Sequence, residues 1–250
     1  MNIDLSGKVA IVTGGSRGIG KEIVTAFAEN GAIVYFTYLT NAARAKDLEK
    51  ELNSRGHNVF SEKVDNCSLE HVNMFAKKVI NEQKHIDILV NNAGYIPRGL
   101  FLKTSEIVWK KAIDTNLGGV YNYCSAILKY MILQKQGNII NISTVSALQP
   151  SPGQAAYSAS KAAIESLTRT LAMEHGKYNI RVNSIAPGLI QTEIVKSISK
   201  DIKDAVLQKT PIGRFGTSED IANAAMFLAS DVSSYITGVQ LLVTGGRHLF

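Results

Sequence analysis

The chain has 250 residues, 45% of them hydrophobic and 19% charged, a composition that is ordinary for a folded globular protein. No Pro/Gly/Ser-rich linker, low-complexity run or internal repeat divides it, so we predict a single domain over residues 1–250. The net charge of +6 is scattered, without the basic stripe and interleaved aromatic residues typical of nucleic-acid binding. A mildly basic surface suits an anionic partner or cofactor.

The cysteine content and the apolar runs indicate a compartment. The chain has only two cysteines, Cys67 and Cys124, and they lack the spacing of metal ligands. This low cysteine content is typical of a protein in a reducing intracellular setting. The first residues lack a signal-peptide pattern, and no apolar run reaches the length of about 18 residues that suggests a membrane span. We therefore expect a cytoplasmic protein without a membrane partner.

The first predicted elements are a strand, a glycine turn and a helix. Residues 8–13 form a β-branched apolar run, GGSRGIG follows at once, and a helical pattern extends to about residue 30. Small residues at this spacing after Thr13 let the backbone approach a pyrophosphate, whose charge is favoured at a helix N-terminus. The turn therefore predicts a dinucleotide site, formed by Gly14, Ser16, Arg17, Gly18, Ile19 and Gly20.

The second strand, residues 32–38, bears on the choice of dinucleotide. An acidic residue after it would bind the ribose 2′-hydroxyl of NAD, but the sequence there is Tyr38, Leu39, Thr40 and Asn41. Arg17 in the glycine turn can face a 2′-phosphate, which favours NADP(H) over NAD(H). The alternative is that Arg17 points to solvent, since no basic residue stands at Leu39.

Strands and helices continue to alternate along the chain. We predict helices over 41–55, 69–82 and 220–230, and strands over 58–64, 86–90, 138–142, 180–185 and 239–243. Such alternation is typical of a Rossmann-type α/β fold, a doubly wound parallel sheet of about seven strands with helices on both faces and ligands at the carboxyl ends of the strands. The cofactor half spans about 1–140 and the catalytic and substrate half about 141–250. Strand ends then add further cofactor contacts at Asp65, Asn66, Asn91, Ala93 and Gly94.

The candidate catalytic pair is Tyr157 and Lys161. Four residues apart on a predicted helix, they lie on one face, one turn apart. An ammonium near a phenol favours the phenolate, so we expect it to lower the tyrosine pKa from about 10 and to prepare a general acid/base. The pattern alone also arises by chance on solvated helix faces. Ser143 and Thr144 end a strand, so their hydroxyls should reach the same rim.

The segment after the strand 180–185 is predicted to cover the cofactor. Its turn, with Pro187, Gly188, Ile190 and Thr192, would close over the nicotinamide, and residues 193–215 would form a lid over the substrate. Tyr95, Ile96 and Leu189 are the candidate substrate-pocket residues.

Six motifs in order resemble the short-chain dehydrogenase/reductase family over residues 8–246: TGGSRGIG, NNAG, DTNLGGV, YSASK, APGLIQT and ITGVQLLVTGG. Within that family the chain is most similar to bacterial 3-oxoacyl-[acyl carrier protein] reductases, through GQAAYSASKAAIESLTRTLAME and LASDVSSYITG. Sugar, steroid and secondary-alcohol dehydrogenases share many of these residues.

The resemblance implies a mechanism for ketone reduction by NADPH. Tyr157 would protonate the carbonyl oxygen, Lys161 would hold the nicotinamide ribose and lower the tyrosine pKa, and Asn116 would position a water molecule. Neither Tyr157 nor Lys161 requires a metal. The usual serine thirteen positions before the tyrosine is replaced by Thr144; Ser143 is the poorer candidate because side chains alternate along a strand.

The resemblance also implies a homotetramer and leaves the substrate open. Relatives pair helices that correspond to residues 111–135 and 155–174, and the tail residues Leu249 and Phe250 are candidate interface residues. The favoured substrate is an acyl-carrier-bound 3-oxoacyl thioester, with Lys129, Lys135 and Lys177 as candidate carrier contacts. The alternatives are a dehydrogenase of a small free alcohol, sugar or secondary metabolite, and a dinucleotide-binding sensor without turnover.

Overall fold

The computed structural model describes residues 3–193 and 200–249. Its strands are β1 (Val9–Val12), β2 (Ile33–Tyr38), β3 (Asn58–Lys63), β4 (Ile88–Asn91), β5 (Gly137–Ile142), β6 (Ile180–Pro187) and β7 (Gln240–Val243). Within the described residues these seven strands form one sheet in the order β3-β2-β1-β4-β5-β6-β7, and every neighbouring pair is parallel. The predicted doubly wound sheet is confirmed.

Helices connect the strands on both faces of the sheet. They are α1 (Gly18–Glu29), α2 (Ala42–Ser54), α3 (Leu69–Gln83), α4 (Glu106–Ile113), α5 (Gly119–Gln134), α6 (Ala155–His175), α7 (Lys200–Gln208) and α8 (Ser218–Ala229). One π-helical turn, Asp114–Gly118, joins α4 to α5. Of the predicted lid, residues 194–199 lie outside the described residues.

The central strands form because their side chains are buried on both faces. Every residue of β1, β4 and β5 is buried, as expected for parallel strands covered by helices on each side. Successive side chains alternate, so Val12 joins a core with Phe27 of α1, whereas Ile11 joins a second core with Phe75 of α3. The two apolar faces therefore fix the register of the sheet.

The strand order places a crevice at the carboxyl ends of β1 and β4. β1 pairs with β2 on one side and with β4 on the other, so the chain reverses the direction in which the sheet grows. Connections leave in opposite directions at such a switch point and open a crevice for ligands. β6 extends to Pro187, two residues beyond its predicted end, and carries the chain to the edge of this crevice.

Candidate active site

A cavity of about 920 Å³ opens at the carboxyl ends of the strands. It is lined by most of the predicted cofactor residues and by all four predicted substrate residues: Gly14, Ser16, Arg17, Gly18, Ile19, Tyr38, Asp65, Asn66, Ala93, Gly94, Tyr157, Lys161, Pro187, Gly188, Ile190, Thr192, Thr144, Tyr95, Ile96 and Leu189. The predicted residues that do not line it are Gly20, Asn91 and Asn116.

The glycine turn fits an anionic group. The N-cap residue of α1, Arg17, makes no side-chain cap hydrogen bond, and the first backbone N–H groups of the helix have no side-chain acceptor among the described residues. Gly18 begins the helix with φ +55° and lines the cavity, where a Cβ would lie 3.7 Å from Thr192. Gly20 serves packing instead, because a Cβ there would lie 2.3 Å from the carbonyl oxygen of Gly14. Helix α1 and its turn can therefore hold a dinucleotide pyrophosphate.

The NNAG segment lies against the glycine turn through Thr13 and Asn92. Thr13 Oγ1 accepts hydrogen bonds from the backbone N–H groups of Asn92 (3.0 Å) and Ala93 (2.9 Å). Asn92 Nδ2 donates to the carbonyl oxygens of Thr13 (2.9 Å) and Gly14 (3.1 Å). Asn92, which the sequence prediction passed over, therefore fixes the turn and also lines the cavity.

Asn91 points the other way. It is the last residue of β4, and its Nδ2 donates to Asn141 Oδ1 of β5 at 2.9 Å inside the sheet. The Asn91 side chain therefore does not line the cavity, because adjacent side chains of a strand alternate and Asn92 takes the cavity side.

Tyr157 and Lys161 lie one turn apart on α6 and are buried. Lys161 Nζ donates to the carbonyl oxygen of Ile142, at the end of β5, at 2.6 Å. Burial lowers the pKa of Lys161 to about 8, an effect that Glu165 opposes. The ammonium therefore lies at the rim of the sheet and borders the same cavity as the phenol.

The pKa of Tyr157 moves opposite to the expectation from sequence. Burial raises it to about 12, and an interaction with Thr144 only partly opposes that rise. Removing water penalises the charged phenolate relative to the neutral phenol. The predicted lowering of the tyrosine pKa is wrong here, and the neutral phenol, the form that can donate a proton, is the stable one.

The two hydroxyls after β5 have different surroundings. Both line the cavity, but Thr144 also interacts with Tyr157, which lowers the tyrosine pKa, and it accepts a hydrogen bond from the backbone N–H of Ser146 at 3.2 Å. The Oγ of Ser143 is buried and has no hydrogen-bond partner among the described residues. The geometry thus brings Thr144, rather than Ser143, to the tyrosine.

Asn116 lies in the π-helical turn between α4 and α5 and is fully buried. Its Oδ1 accepts from the backbone N–H of Tyr95 (2.7 Å), while its Nδ2 donates to the Tyr95 carbonyl (3.0 Å) and to Ser160 Oγ (2.9 Å). The side-chain amide is therefore engaged with protein groups, and it holds the Tyr95 backbone against α6. That Asn116 positions a water molecule stays a prediction.

Two arginines converge on one carboxylate beside the strand end of β2. Arg44 Nη1 lies 2.9 Å from one oxygen of Glu193 and 3.0 Å from the other, and Arg17 Nη1 lies 3.8 Å from Glu193. Asn41, which lines the cavity, caps α2 by accepting from the Arg44 backbone N–H at 3.2 Å. Arg44 was not among the predicted residues, since nothing local connects it to Glu193, 149 residues away.

The fold and these side chains define a class of protein. A doubly wound sheet, an uncapped glycine turn for a pyrophosphate, and a buried tyrosine, lysine and threonine at the same rim are the parts of a dinucleotide-dependent oxidoreductase. The glycine turn follows β1, Thr144 follows β5, and Tyr157 and Lys161 lie on α6, yet all of them border one cavity.

Known proteins agree with that class. Residues 14–248 match the family model described as enoyl-(acyl carrier protein) reductase. The chain is 45% identical to the 3-oxoacyl-[acyl-carrier-protein] reductase of Chlamydia muridarum, over 98% of this chain and 99% of the relative. It is 38% identical to the protein of the same name from Staphylococcus epidermidis, over 97% and 99% of the two chains.

Solved structures extend the likeness beyond that group. A 7α-hydroxysteroid dehydrogenase complexed with NADH and 7-oxo glycochenodeoxycholic acid is 37% identical, with a TM-score of 0.94 over 98% of this chain and 96% of the other. The chain belongs to the short-chain dehydrogenase/reductase family and is an oxidoreductase. None of its described helices has the length and apolar character required to span a membrane.

Proposed function

We propose that the protein catalyses NADPH-dependent reduction of a 3-oxoacyl thioester to the 3-hydroxyacyl thioester, with the acyl group borne by an acyl carrier protein of fatty acid biosynthesis. The observation that carries this proposal is the buried Tyr157, which shares one cavity with Thr144, Lys161 and the glycine turn. The names of the full-length relatives at 45% and 38% identity support the thioester substrate.

The residues divide the reduction between them. When bound, the dinucleotide supplies the hydride that the carbonyl carbon accepts. Thr144 donates a hydrogen bond to the carbonyl oxygen, and Tyr157 transfers its proton to that oxygen as negative charge develops there. The resulting tyrosinate is stabilised by the ammonium of Lys161, one helical turn away, in surroundings where burial strengthens their attraction.

The arginines support the choice of NADPH. Arg17 and Arg44 both approach the carboxylate of Glu193, so their guanidinium groups already converge on one anion. A 2′-phosphate can take the place of that carboxylate, because guanidinium groups bind both kinds of anion in a forked geometry. An NADH-dependent protein is the alternative, and the steroid dehydrogenase solved with NADH keeps it open.

A homotetramer in the cytoplasm completes the proposal. Exposed apolar side chains of α5 and α6, Tyr121, Leu133 and Met173, support helix pairing between copies of the chain. Ile164 and Leu171, apolar residues at helical spacing on α6, do not support it, since both side chains are buried within one subunit. Leu249 is exposed, while Phe250 lies outside the described residues. Both cysteines are free thiols, which suits a reducing compartment.

A second candidate substrate is a free ketone or alcohol. It is favoured by the steroid dehydrogenase, whose fold superimposes with a TM-score of 0.94 and which is complexed with a free oxo steroid. A sensor without turnover has less support, because such a protein does not need Thr144, Tyr157 and Lys161 assembled in one cavity.

The test is the initial rate of NADPH oxidation with acetoacetyl thioester, beside a free β-ketoester and beside NADH. We expect rapid thioester reduction, which Tyr157→Phe lowers by about 10²- to 10⁴-fold because the proton donor is removed. Tyr235→Phe is the matched control, since that tyrosine is fully exposed. Turnover of the free ketone without turnover of the thioester would transfer the assignment to the second candidate.

A further inference from the structure

Three basic side chains line the substrate end of the cavity: Arg98, Lys111 and Arg247. Arg98 follows Tyr95 on a loop that is held to the start of α6, where the backbone N–H of Gly99 donates to the Gly153 carbonyl at 3.1 Å. Lys111 extends from α4, with its Nζ 4.8 Å from the centre of the Tyr95 ring.

Arg247 reaches the cavity from the C-terminal end of the described chain. The next residue, His248, is held in place by two contacts: its carbonyl accepts from Gln149 Nε2 at 2.9 Å, and its Nδ1 lies 2.7 Å from Thr244 Oγ1. The three cations therefore come from three separate segments, each anchored by its own contacts.

These cations line the cavity without an acidic partner among the described residues. Arg98, Lys111 and Arg247 form no ion pair with any described residue, whereas Lys110, beside Lys111, pairs with Glu106 at 2.5 Å. The carboxylates that line the described cavity are Asp65, after β3, and Glu193, which is paired with Arg44. The substrate end thus carries uncompensated positive charge.

The burial of Arg247 adds to this imbalance. Its side chain is partly buried, and burial lowers its pKa, so the guanidinium has lost part of its hydration without gaining a charged partner. An anion at this position would restore the lost interactions through charge-assisted hydrogen bonds.

The reaction machinery leaves these cations without a role. The pyrophosphate fits the glycine turn of α1, and the proposed proton transfer uses Tyr157 beside Lys161. The lysines nominated from the sequence, Lys129, Lys135 and Lys177, do not line the cavity. Lys129 and Lys177 instead lie over the rings of their neighbours, Tyr130 and Tyr178. The positive charge at the substrate end therefore points to a second bound anion, distinct from the pyrophosphate.

We propose that Arg98, Lys111 and Arg247 form an anion subsite that binds a negatively charged group of the ketone substrate, the phosphate of the arm that carries the acyl thioester. This inference rests on the proposed thioester function. A carboxylate on a free ketone has the same chemistry, and the experiment below separates the two sources.

The test compares acetoacetyl phosphopantetheine with acetoacetyl pantetheine, which is the same thioester without the phosphate. We expect kcat/KM to be about tenfold or more higher for the phosphorylated thioester, since tenfold corresponds to about 1.4 kcal/mol and a charge-assisted contact supplies that much. In the triple variant Arg98→Gln/Lys111→Gln/Arg247→Gln, the ratio of the two kcat/KM values should fall towards one.

Two further variants separate the subsite from general charge or misfolding. The triple variant Lys103→Gln/Lys110→Gln/Lys129→Gln removes the same charge from exposed positions outside the cavity, and it should keep the ratio. The charge-conserving triple variant Arg98→Lys/Lys111→Arg/Arg247→Lys should retain most of the preference. Equal turnover of the two thioesters by the native protein, or an unchanged ratio in the glutamine triple variant, would refute the subsite while leaving the thioester function intact.

A parallel pair of free ketones, with and without a carboxylate, tests the subsite if the protein does not reduce thioesters. If neither thioester reacts but the carboxylate-bearing ketone is preferred, and the glutamine triple variant loses that preference, the anion subsite holds and the source of the anion is the free substrate. If neither pair shows a charge preference, the subsite is overturned.

Discussion

At the adenosine end of the cavity, Arg17 and Arg44 approach the carboxylate of Glu193, whereas at the substrate end Arg98 and Lys111 approach no carboxylate of the described chain. The difference changes what binding an anion requires. A phosphate at the adenosine end must displace an existing partner, while one at the substrate end gains contacts without displacement. Selectivity for the cofactor is therefore a competition, and selectivity for a charged substrate is not.

Between the two ends stands the hydroxyl of Thr144, whose removal should have the largest effect among the following variants. Thr144→Val keeps the β-branched shape but loses the hydrogen-bond donor beside Tyr157. Loss of one donor to a developing oxyanion typically costs about 10²- to 10³-fold in kcat, and we expect a decrease of that order. Steady-state kinetics with the acetoacetyl thioester measures it.

The matched variants for that position are Thr144→Ser and Ser143→Ala. Serine retains the donor and should keep kcat within a few-fold of the native value, and Ser143 has no described hydrogen-bond partner whose loss would affect the reaction. A large loss in Ser143→Ala with full activity in Thr144→Val would reverse the assignment of the two hydroxyls.

Removing the paired arginines is the most direct test of the difference between the two ends of the cavity. In Arg17→Gln/Arg44→Gln, affinity for NADPH should fall by about tenfold or more, because two guanidinium contacts to the 2′-phosphate are lost, while affinity for NADH should change little. Fluorescence titration with each reduced dinucleotide measures both constants. Arg55→Gln is the control, since Arg55 pairs with Glu29 and does not line the cavity. Equal losses of affinity for NADPH and NADH would mean that these arginines contact a group that the two cofactors share.

The sequence predicted the parts of this architecture that depend on local pattern. β1 and β4 are short apolar runs buried on both faces, and the structure starts or ends them within two residues of the expected positions. Tyr157 and Lys161 meet because one helical turn separates them. The sequence predicted a helix only from about residue 111, so it missed the first residues of α4, which begins at Glu106. The eight residues of α4 are too few for a clear helical period.

What the sequence did not predict depends on tertiary contact or on burial. Arg44 and Glu193 are 149 residues apart in the sequence, and no local pattern joins them. The tyrosine pKa rises because surrounding side chains remove water, an effect that the four-residue spacing to Lys161 does not contain. The choice between Asn91 and Asn92 depended on where β4 ends, a boundary that sequence patterns locate poorly.

The competition at the adenosine end predicts a smaller effect of opposite sign at Glu193. Glu193→Gln removes the charge that competes with a 2′-phosphate for Arg17 and Arg44, so NADPH should bind more tightly. Exposed ion pairs contribute about 0.2–1 kcal/mol, which limits the gain to about fivefold. NADH, which has a 2′-hydroxyl in place of the phosphate, should bind as it does to the native protein.

The same fluorescence titration measures this change, with Glu29→Gln as the control because Glu29 pairs with Arg55 away from the cavity. The two ends can also be compared in one protein: Glu193→Gln should alter the constant for NADPH without altering the ratio of phosphorylated to unphosphorylated thioester turnover. Weaker NADPH binding in Glu193→Gln would mean that the carboxylate orders the two arginines for the phosphate instead of competing with it. The two ends would then differ in whether their cations are held in position before the anion binds.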